Sequence, residues 1–424
     1  HRGQDNSQGA SRSLPPTLVY ARWGLRPTSA PERNRQRSTK QSLMMHQRDS
    51  QVLCSASLAA AAILLLSGCG SGSAPPPTVR AVEMGDYEGV LDWPKALPDD
   101  DLSHDGWTWG SMGGVYAESP DRIIVLQRGE TRLPDPVPAE FNGWTGSLWN
   151  VLGGRGRTWQ NCIYVLDRDG NLVEVWAQWD YLFEGSDGPG PHRIRVSPYD
   201  PEHRIWIVHE TAHQIFVLSN DGKELLRTFG ERNVSGTDET HFGLPQDVGF
   251  LPDGRVLIAD GYENSRVMVL DADWNYLTEF GSPGDGPGEF QIVHSIAMAP
   301  GGRILVADRD NNRIQIFSQS DYSYMGEIPT GALSLDIIVS GDRVFVSDVG
   351  PPRLRQFDLG GNPVYTWYAP GQDSPNWFRE MHSIGVDPEG NFYAADNQNG
   401  RIQKFVPKAD ADPNLLVGQP YIPR

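Results

Sequence analysis

The sequence predicts an all-β protein, a six-bladed β-propeller. The first observation is a stretch that occurs almost twice, over residues 245–270 and again over residues 293–317. Each copy contains short runs in which apolar and polar side chains alternate, separated by turns rich in Gly and Asp. Such alternation is typical of β strands, and its repetition at a regular spacing is typical of propeller blades.

The second observation is that the same pattern recurs along the chain when each segment is aligned on the turn between its first two strands. Six positions begin a blade: Gly113, His192, Gln246, His294, Leu335 and His382. Six units of four strands are enough to close a ring. The last unit lacks a fourth strand after residues 401–405, so we expect residues 83–93 to supply the closing outer strand.

The region before the repeats divides into a leader, a signal and a linker. Residues 1–43 are Arg-rich and have no hydrophobic period, which indicates a disordered or mistranslated leader. Residues 44–68 are predicted to be a cleaved signal peptide, because the apolar run at 58–66 is too short to span a bilayer. We expect residues 69–80, rich in Gly, Ser and Pro, to be a flexible linker and residues 81–424 to form the propeller.

The predicted signal ends in Leu-Ser-Gly-Cys69, which resembles the lipobox of bacterial lipoproteins. This resemblance implies that Cys69 is the lipidated first residue of the mature chain. It predicts a membrane-anchored lipoprotein of the bacterial cell envelope that faces the periplasm or the exterior. The alternative is an ordinary secretion signal in which the Cys occurs by chance.

The composition excludes several kinds of partner. Residues 1–68 contain nine basic and three acidic side chains, so their removal changes the net charge from −18 to −24. Such acidity argues against nucleic acid, and against membrane contact other than through the lipid anchor. Cys69 and Cys162 are the cysteines that follow the signal, so no disulfide framework is expected. We expect a monomer that acts on a small-molecule or peptide substrate.

Three histidines occupy the same position in the second, fourth and sixth repeat units: His192, His294 and His382. Alternate blades of a six-fold ring stand roughly 120° apart and begin at the central channel, so the three imidazoles are expected to converge on the axis. Three histidines with one position open for water or substrate are an arrangement that catalytic zinc uses. The intervening positions hold Gly113, Gln246 and Leu335, which do not compete for a metal.

A second set of polar residues is predicted on the same rim, at the turn after the second strand of each blade. Arg128 and Arg309 each lie 15 residues after the position that begins their blade, and Tyr262 lies in the corresponding turn of the third unit. A metal site, two guanidinium groups and a phenol would then face one cavity. The alternative is that the arginines bridge blades through carboxylates and that the Tyr262 ring packs on a neighbour.

An insert at residues 129–161 separates Arg128 from the next predicted strand. It contains Trp144, Trp149 and Trp159 together with several Gly residues. Because the insert leaves the second strand, it must emerge on the histidine face, where it is expected to form a lid with aromatic contacts to substrate. A packed surface loop that covers an exposed blade edge is the alternative.

Three motifs resemble one family. They are Asp260-Gly-Tyr-Glu-Asn-Ser-Arg266, Ala307-Asp-Arg-Asp-Asn-Asn-Arg-Ile-Gln315 and Gln127-Arg128-Gly129. Together with Val293-His-Ser, they are similar to the peptidyl-α-hydroxyglycine α-amidating lyases, six-bladed propellers built of NHL-type repeats. The likeness extends over about residues 113–405 and is most specific between residues 260 and 315.

The resemblance implies a role for each candidate site residue. His192, His294 and His382 match the zinc ligands of the family. Tyr262 matches its catalytic tyrosine, Arg128 the arginine beside that tyrosine, and Arg309 a further active-site arginine. The family also binds a structural calcium, and its backbone-carbonyl ligands match Val115 and Ile194. Ser383 stands where the family has an aspartate, so one carboxylate ligand to calcium is missing here.

Two classes of function follow. The first is a zinc-dependent lyase that cleaves the C–N bond of a carbinolamide and releases an amide and glyoxylate, with Tyr262 as general base, Arg128 stabilising its phenolate and Arg309 holding the substrate carboxylate. The second is a lipid-anchored propeller that binds proteins or glycans without catalysis. A calcium-dependent hydrolase of the gluconolactonase kind is disfavoured, because such sites use carboxylate and Asn ligands and this one offers imidazoles.

Overall fold

The computed structural model describes residues 80–95, 97, 107–132, 157–185, 188–349, 352–368 and 378–422. These residues form six sheets of four or five strands. Within each sheet, strands that follow one another in sequence pair antiparallel with one another. Sequence neighbours therefore become spatial neighbours, as short Gly- and Asp-containing turns favour.

The strands of the first three blades are as follows. Blade 1 has Met112–Ser119, Arg122–Gln127, Ile163–Leu166 and Leu172–Val175. Blade 2 has Pro191–Val196, Ile205–His209, Gln214–Leu218 and Leu225–Phe229. Blade 3 has Asp247–Phe250, Val256–Asp260, Arg266–Leu270 and Tyr276–Phe280.

The last three blades continue the series. Blade 4 has Val293–Ala299, Arg303–Asp308, Arg313–Ser318 and Tyr324–Pro329. Blade 5 has Leu333–Ser340, Arg343–Val349, Arg353–Asp358 and Pro363–Tyr368, joined by Arg80–Glu83. Blade 6 has Met381–Val386, Phe392–Asp396 and Arg401–Pro407, joined by Tyr87–Gly89.

Three short elements lie outside the blade sheets. One three-stranded sheet consists of Trp107–Thr108, Glu130–Arg132 and Arg157–Thr158, and one two-stranded sheet of Ser282–Pro283 and Glu289–Phe290. A 3₁₀ helix spans Ala177–Leu182. No helix in the described part of the chain has the length and hydropathy needed to cross a membrane.

An N-terminal segment supplies the outer strand of blade 6, as the sequence predicts. Tyr87–Gly89 pairs antiparallel with Arg401–Pro407 and supplies the outer strand of blade 6, which confirms the expectation for residues 83–93. The Tyr87 side chain is fully buried, and its hydroxyl accepts a hydrogen bond of 2.9 Å from the Val417 amide. The parallel addition of Arg80–Glu83 to blade 5 was not predicted. The segment from residue 80 to residue 89 thus links the last two blades.

Burial follows the distance from the axis. The second and third strands of blade 3, Val256–Asp260 and Arg266–Leu270, are buried at every position. The outer strand Tyr276–Phe280 instead alternates between partly buried and exposed side chains. A strand covered on both faces requires a continuous apolar run, whereas an edge strand requires alternation, so the sequence pattern of each repeat fixes which strand lies outside.

A cluster of charged side chains joins the innermost strands next to the histidines. Arg193 is fully buried, lies 3.1 Å from an Asp336 oxygen and donates to the carbonyl of His382 at 3.0 Å. Arg195 donates two hydrogen bonds of 2.8 Å to Asp247 and one of 2.6 Å to Asp336. Burial works to raise the pKa of Asp336, but the charges of Arg193 and Arg195 outweigh it and hold that pKa below its usual value.

This cluster makes one stability prediction. Replacing Asp336→Ala leaves two buried guanidinium groups short of a counter-charge, so the free energy of unfolding should fall by about 3–5 kcal/mol. The matched control is Asp253→Ala, which removes an exposed partner of Arg255 and should cost less than about 1 kcal/mol. Urea unfolding of both variants measures the difference. Equal losses in the two variants would refute a structural role for the cluster.

Candidate active site

The three histidines lie at β-bulges of the innermost strands. In blade 2 the pairing with the second strand skips His192, and in blades 4 and 6 it skips His294 and His382. The same register shift occurs at Gly113 and Leu335 in the intervening blades. A bulge inserts one unpaired residue and re-aims its side chain. The local fold therefore turns each of these residues out of the ladder in the same way.

Each histidine is oriented by the backbone of the next blade around the ring. The Nδ1 atoms of His192, His294 and His382 form hydrogen bonds to the carbonyls of Gln246 at 2.8 Å, Leu335 at 2.7 Å and Gly113 at 3.0 Å. A carbonyl oxygen only accepts hydrogen bonds, so each Nδ1 must carry the proton. Each Nε2 then presents a lone pair. Gln246, Leu335 and Gly113, which do not compete for a metal, thus set the tautomers of the three histidines through their carbonyls.

The three Nε2 atoms converge. They lie within 4.8 Å of one another, and those of His192 and His382 are 3.1 Å apart. The Nε2 of His294 is buried and has no hydrogen-bond partner among the described residues. Burial first, and the charges of the neighbouring imidazole and guanidinium groups second, hold the pKa of all three side chains well below the usual value. The three imidazoles are therefore neutral, which is the state that ligates a metal.

The donor set fits a metal ion. Three lone pairs that face one another at this spacing repel unless a cation lies between them. Nitrogens at 2.0–2.1 Å from a tetrahedral zinc ion would be roughly 3.3 Å apart, close to the 3.1 Å separation of the His192 and His382 atoms. The hydrogen bonds at Nδ1 are those that fix the ring orientation of metal-bound histidines.

The candidate catalytic tyrosine stands edge-on to this cluster. The Tyr262 ring centroid is 6.3 Å from that of His192 and 6.1 Å from that of His294. Arg309 donates a hydrogen bond of 2.6 Å to the Tyr262 hydroxyl, and its guanidinium lies 4.9 Å from the ring centroid. Burial raises the pKa of Tyr262, and the Arg309 charge opposes that rise. The phenol therefore has a cationic partner that favours its ionised form.

Arg128 lies directly after the second strand of its blade, as expected, but its hydrogen bond is to another partner than the Tyr262 phenol. It is buried, donates through Nε to the Pro191 carbonyl at 3.2 Å, and lies 4.0 Å from a carboxylate oxygen of Glu210. The guanidinium that bonds the Tyr262 phenol is that of Arg309, not that of Arg128. The charge of Arg128 also opposes the rise in the pKa of Tyr262, so its expected role beside the phenolate stays a prediction. Position in a repeat places a residue on the rim but does not decide which neighbour its long side chain reaches.

Two buried carboxylates near these residues were not predicted from the sequence. Glu210 is the first residue after the second strand of its blade, as Arg128 and Arg309 are in theirs. It lies 18 residues after His192 rather than 15, because blade 2 has a longer turn between its first two strands, so counting passed over it. Glu380 precedes His382 by two residues. Burial raises the pKa of both carboxyl groups, and the charges of Arg128 and Arg309 oppose that rise.

The remaining expected sites have different outcomes. Val115 and Ile194 lie in the innermost strands of blades 1 and 2, but the side chain of Ser383 is neutral, and within the described part of the chain its buried hydroxyl has no hydrogen-bond partner. The nearby positive charge comes from Arg193, which donates to the carbonyl of His382, the residue before Ser383. Calcium needs several oxygen ligands and usually carboxylates, so these residues do not fit a calcium ion.

The expected lid is described only at its end. Trp144, Trp149 and the lipidation residue Cys69 lie outside the described residues. Trp159 is partly buried, with the guanidinium of Arg157 3.9 Å from the centroid of its ring. Its ring packs so closely on Gly190 that a Cβ there would come within 2.3 Å. This end of the insert therefore packs beside the start of Pro191–Val196, and both the lid and the surface loop stay predictions.

Comparison with known proteins agrees with the fold and the resemblance. A family model described as a 6-bladed beta-propeller matches residues 235–349. The peptidylglycine alpha-amidating monooxygenase of Rattus norvegicus is 27% identical over 221 residues, covering 50% of this chain and 20% of its own length. A probable peptidyl-alpha-hydroxyglycine alpha-amidating lyase of Caenorhabditis elegans is 31% identical over 107 residues, covering 25% of this chain and 30% of its own length.

A further relative extends the comparison. Peptidyl-alpha-hydroxyglycine alpha-amidating lyase 2 of Drosophila melanogaster is 28% identical over 177 residues, covering 42% of this chain and 40% of its own length. This chain thus spans less than half the length of each relative. The solved structure of streptogramin B lyase aligns at 13% identity with a TM-score of 0.44, over 70% of this chain and 94% of that one, too weakly to carry an argument. The protein is a six-bladed β-propeller with distant sequence similarity to amidating lyases and monooxygenases.

Proposed function

We propose that this protein is a zinc-dependent lyase that cleaves the C–N bond of a carbinolamide of the peptidyl-α-hydroxyglycine type. The products would be an amide and glyoxylate. The observation that carries the proposal is the convergence of three buried Nε2 lone pairs beside the hydrogen-bonded pair of Tyr262 and Arg309. The sequence similarity to proteins named as amidating lyases supports the same reaction class.

The metal would be held by His192, His294 and His382. A zinc ion bound there would supply Lewis-acid chemistry to a substrate hydroxyl. The protein contributes neutral imidazoles whose orientation is already fixed by backbone carbonyls, so little reorganisation is needed on binding.

Tyr262 would act as the base. Its phenolate accepts the proton of the substrate hydroxyl, the carbonyl of glyoxylate forms, and the C–N bond breaks. The phenol then returns the proton to the departing amide nitrogen, so the protons balance. Arg309 favours the phenolate through its hydrogen bond of 2.6 Å. The charge of a metal ion held by the three histidines would also favour the phenolate.

Of the two predicted rim arginines, Arg128 would bind the substrate carboxylate. Arg309 is engaged with Tyr262 and Asp310. Arg128 is buried, it directly follows the second strand of its blade as Arg309 does, and its charge acts on Tyr262. A buried guanidinium binds a carboxylate tightly because the pair is shielded from water. In this proposal Arg128 orients the glycolate end of the substrate.

The cellular setting is proposed from the sequence alone. We propose that Cys69 carries a lipid that anchors the mature protein at the bacterial cell envelope. If the protein binds no metal, the alternative function is favoured, a binding adaptor without catalysis.

The metal site makes the first functional prediction. The protein without its signal, supplied with zinc and dialysed, should retain about one zinc ion per chain by elemental analysis. His294→Ala should lose it, because only two imidazoles remain. The control is His241→Ala, which alters a histidine paired with Asp238 outside the cluster and should leave the zinc content unchanged. A wild-type protein that retains no zinc would rule out the lyase and favour the adaptor.

Removal of the base makes the second functional prediction. Tyr262→Phe keeps the ring but loses the hydroxyl, so kcat for glyoxylate release from a peptidyl-α-hydroxyglycine should fall about 10²–10⁴-fold. The zinc content should stay the same, because the phenol is not one of the three nitrogen donors. Undiminished turnover in the variant would show that another group takes the proton.

The pH dependence makes the third functional prediction. Because the pKa of Tyr262 is raised, its basic form accumulates as the pH increases, and kcat/KM of the wild type should rise towards alkaline pH. Arg309→Met removes the charge that most opposes this rise in pKa, so the alkaline limb should move to higher pH. Arg128→Met should move the limb less and should mainly raise KM. A limb that stays in place in Arg309→Met would contradict the proposed pairing.

A further inference from the structure

Arg193 is a buried arginine that contacts the backbone of two other blades beside the histidines. It comes directly after His192 in the innermost strand of blade 2, and its side chain is fully buried. Its Nη1 atom donates to the carbonyl of His382 at 3.0 Å, and its Nη2 atom donates to the carbonyl of Leu335 at 3.1 Å. Those carbonyls belong to the innermost strands of blades 6 and 5. One guanidinium group therefore joins three blades.

The Leu335 carbonyl is shared between Arg193 and a histidine. It accepts a hydrogen bond of 2.7 Å from the Nδ1 atom of His294 as well as the one of 3.1 Å from the guanidinium. A carbonyl oxygen has two lone pairs, so it can accept from both donors at once. The bond at Nδ1 fixes the tautomer and the orientation of the His294 ring. Arg193 thus holds the oxygen atom to which that ring is bonded.

Arg193 is linked to each of the three imidazoles by a different route. It is the chain neighbour of His192, it bonds the acceptor of His294, and it bonds the backbone carbonyl of His382. A guanidinium group is a planar fork whose nitrogens have a fixed separation. Two carbonyls that are bonded to this fork are therefore held in a fixed relation to one another and to the strand that carries Arg193.

The charge of Arg193 does not itself favour a metal ion. It acts on all three imidazoles, and it lowers their pKa because it disfavours a second positive charge nearby. A cation beside the histidines would repel a metal ion in the same way. Asp336, with an oxygen 3.1 Å from the guanidinium, offsets this charge. Any benefit to metal binding therefore comes from the hydrogen bonds of the guanidinium rather than from its charge.

We propose that Arg193 is a positioning residue that orients the three imidazoles for metal binding through its hydrogen bonds to two backbone carbonyls. Ligands that are held in place before the ion arrives lose less conformational freedom on binding, which increases the affinity. The inference rests on the proposed metal site but not on the lyase reaction. It gives Arg193 a different role from Arg195 of the same strand, whose hydrogen bonds within the described residues go to the carboxylates of Asp247 and Asp336.

The test is a substitution that keeps the charge and removes the fork. Arg193→Lys retains a cation beside Asp336, but a single ammonium nitrogen does not reproduce the guanidinium geometry that holds the two carbonyls. The Kd of the chelator-treated protein for Zn²⁺, measured by competition with a chromogenic chelator, should rise at least about tenfold. The visible spectrum of the Co²⁺-loaded protein should also change, because it reports the arrangement of the ligands.

The matched control is Arg195→Lys, the same change in another member of the charge network. Its hydrogen bonds go to carboxylates, so the loss of its fork leaves the carbonyls beside the histidines in place. Both variants should unfold at a lower temperature than the wild type, but Arg195→Lys should change neither the Kd for Zn²⁺ nor the Co²⁺ spectrum. Equal effects of the two substitutions on metal binding would mean that the network acts only through the stability of the ring, and would overturn the positioning role.

The outcomes separate this inference from the proposed function. An Arg193→Lys protein with the Zn²⁺ affinity and Co²⁺ spectrum of the wild type would overturn the positioning role and leave the three-histidine site intact. Weakened metal binding in this variant, beside a wild type that binds zinc but releases no glyoxylate, would support the positioning role and overturn the lyase. A wild type that binds no metal would overturn both.

A crystal structure of the zinc-loaded wild type decides the question if Arg193→Lys fails to fold. The proposal is supported if the guanidinium still bonds the carbonyls of His382 and Leu335 while the three Nε2 atoms bind the ion. A guanidinium that lies more than about 3.5 Å from both carbonyl oxygens in the loaded protein would refute it.

Discussion

The structure depends on a buried network of charges that joins the innermost strands across the channel. Arg193 and Arg195 of blade 2 meet Asp247 of blade 3 and Asp336 of blade 5. Asp336 also accepts hydrogen bonds from the hydroxyl of Ser295 and the amide of Ile384, which bring in blades 4 and 6. Buried charges are costly unless every one is paired, so the network is satisfied only when these blades are in register. Arg193 and Ser295 directly follow two of the three histidines. The interaction that holds the blades together therefore also sets the height at which the imidazoles enter the channel.

How much the sequence could predict depended on whether a feature repeats. The blades, the closing strand and the three aligned histidines follow from periodicity, and the structure has all of them. The hydrogen bond between Arg309 and Tyr262 joins turns of two different blades, and a single repeat contains no information about that distance. Glu210 follows the second strand of its blade, as Arg128 and Arg309 do. It lies more residues after the start of its blade than they do, because a longer turn precedes that strand. The charge network was missed for a different reason. Arg193, Asp247 and Asp336 share one position, the residue after the one that begins each blade, but one repeat does not show that only the closed ring brings their charges together.

The charges around the candidate site are more balanced than two arginines suggest. Glu210 and Glu380 act on both Arg128 and Arg309, and all four groups act on Tyr262. Two carboxylates beside two guanidinium groups reduce the pull on an anionic substrate and increase the cost of ionising the phenol. A metal held by the histidines would restore positive charge at the centre of this set. Substrate binding and ionisation of Tyr262 would then both depend on the metal, which distinguishes a site of this composition from one in which the arginines alone attract the substrate.

The same geometry couples metal binding to closure of the ring. The Nδ1 atom of His382 bonds to the carbonyl of Gly113, so this tautomer is set across the junction between blades 6 and 1. Beside that junction, Tyr87–Gly89 completes blade 6 by pairing with Arg401–Pro407. Opening the junction would release one of three ligands from its orientation and weaken the site. By linkage, an ion that binds only the closed ring stabilises it by RT ln(1 + [L]/Kd), which is about 4 kcal/mol at a thousandfold excess of free metal over Kd. The metal would thus stabilise the closed ring as well as take part in the reaction. The hydrogen bonds from Nδ1 to the carbonyls of neighbouring blades would couple metal binding to ring closure.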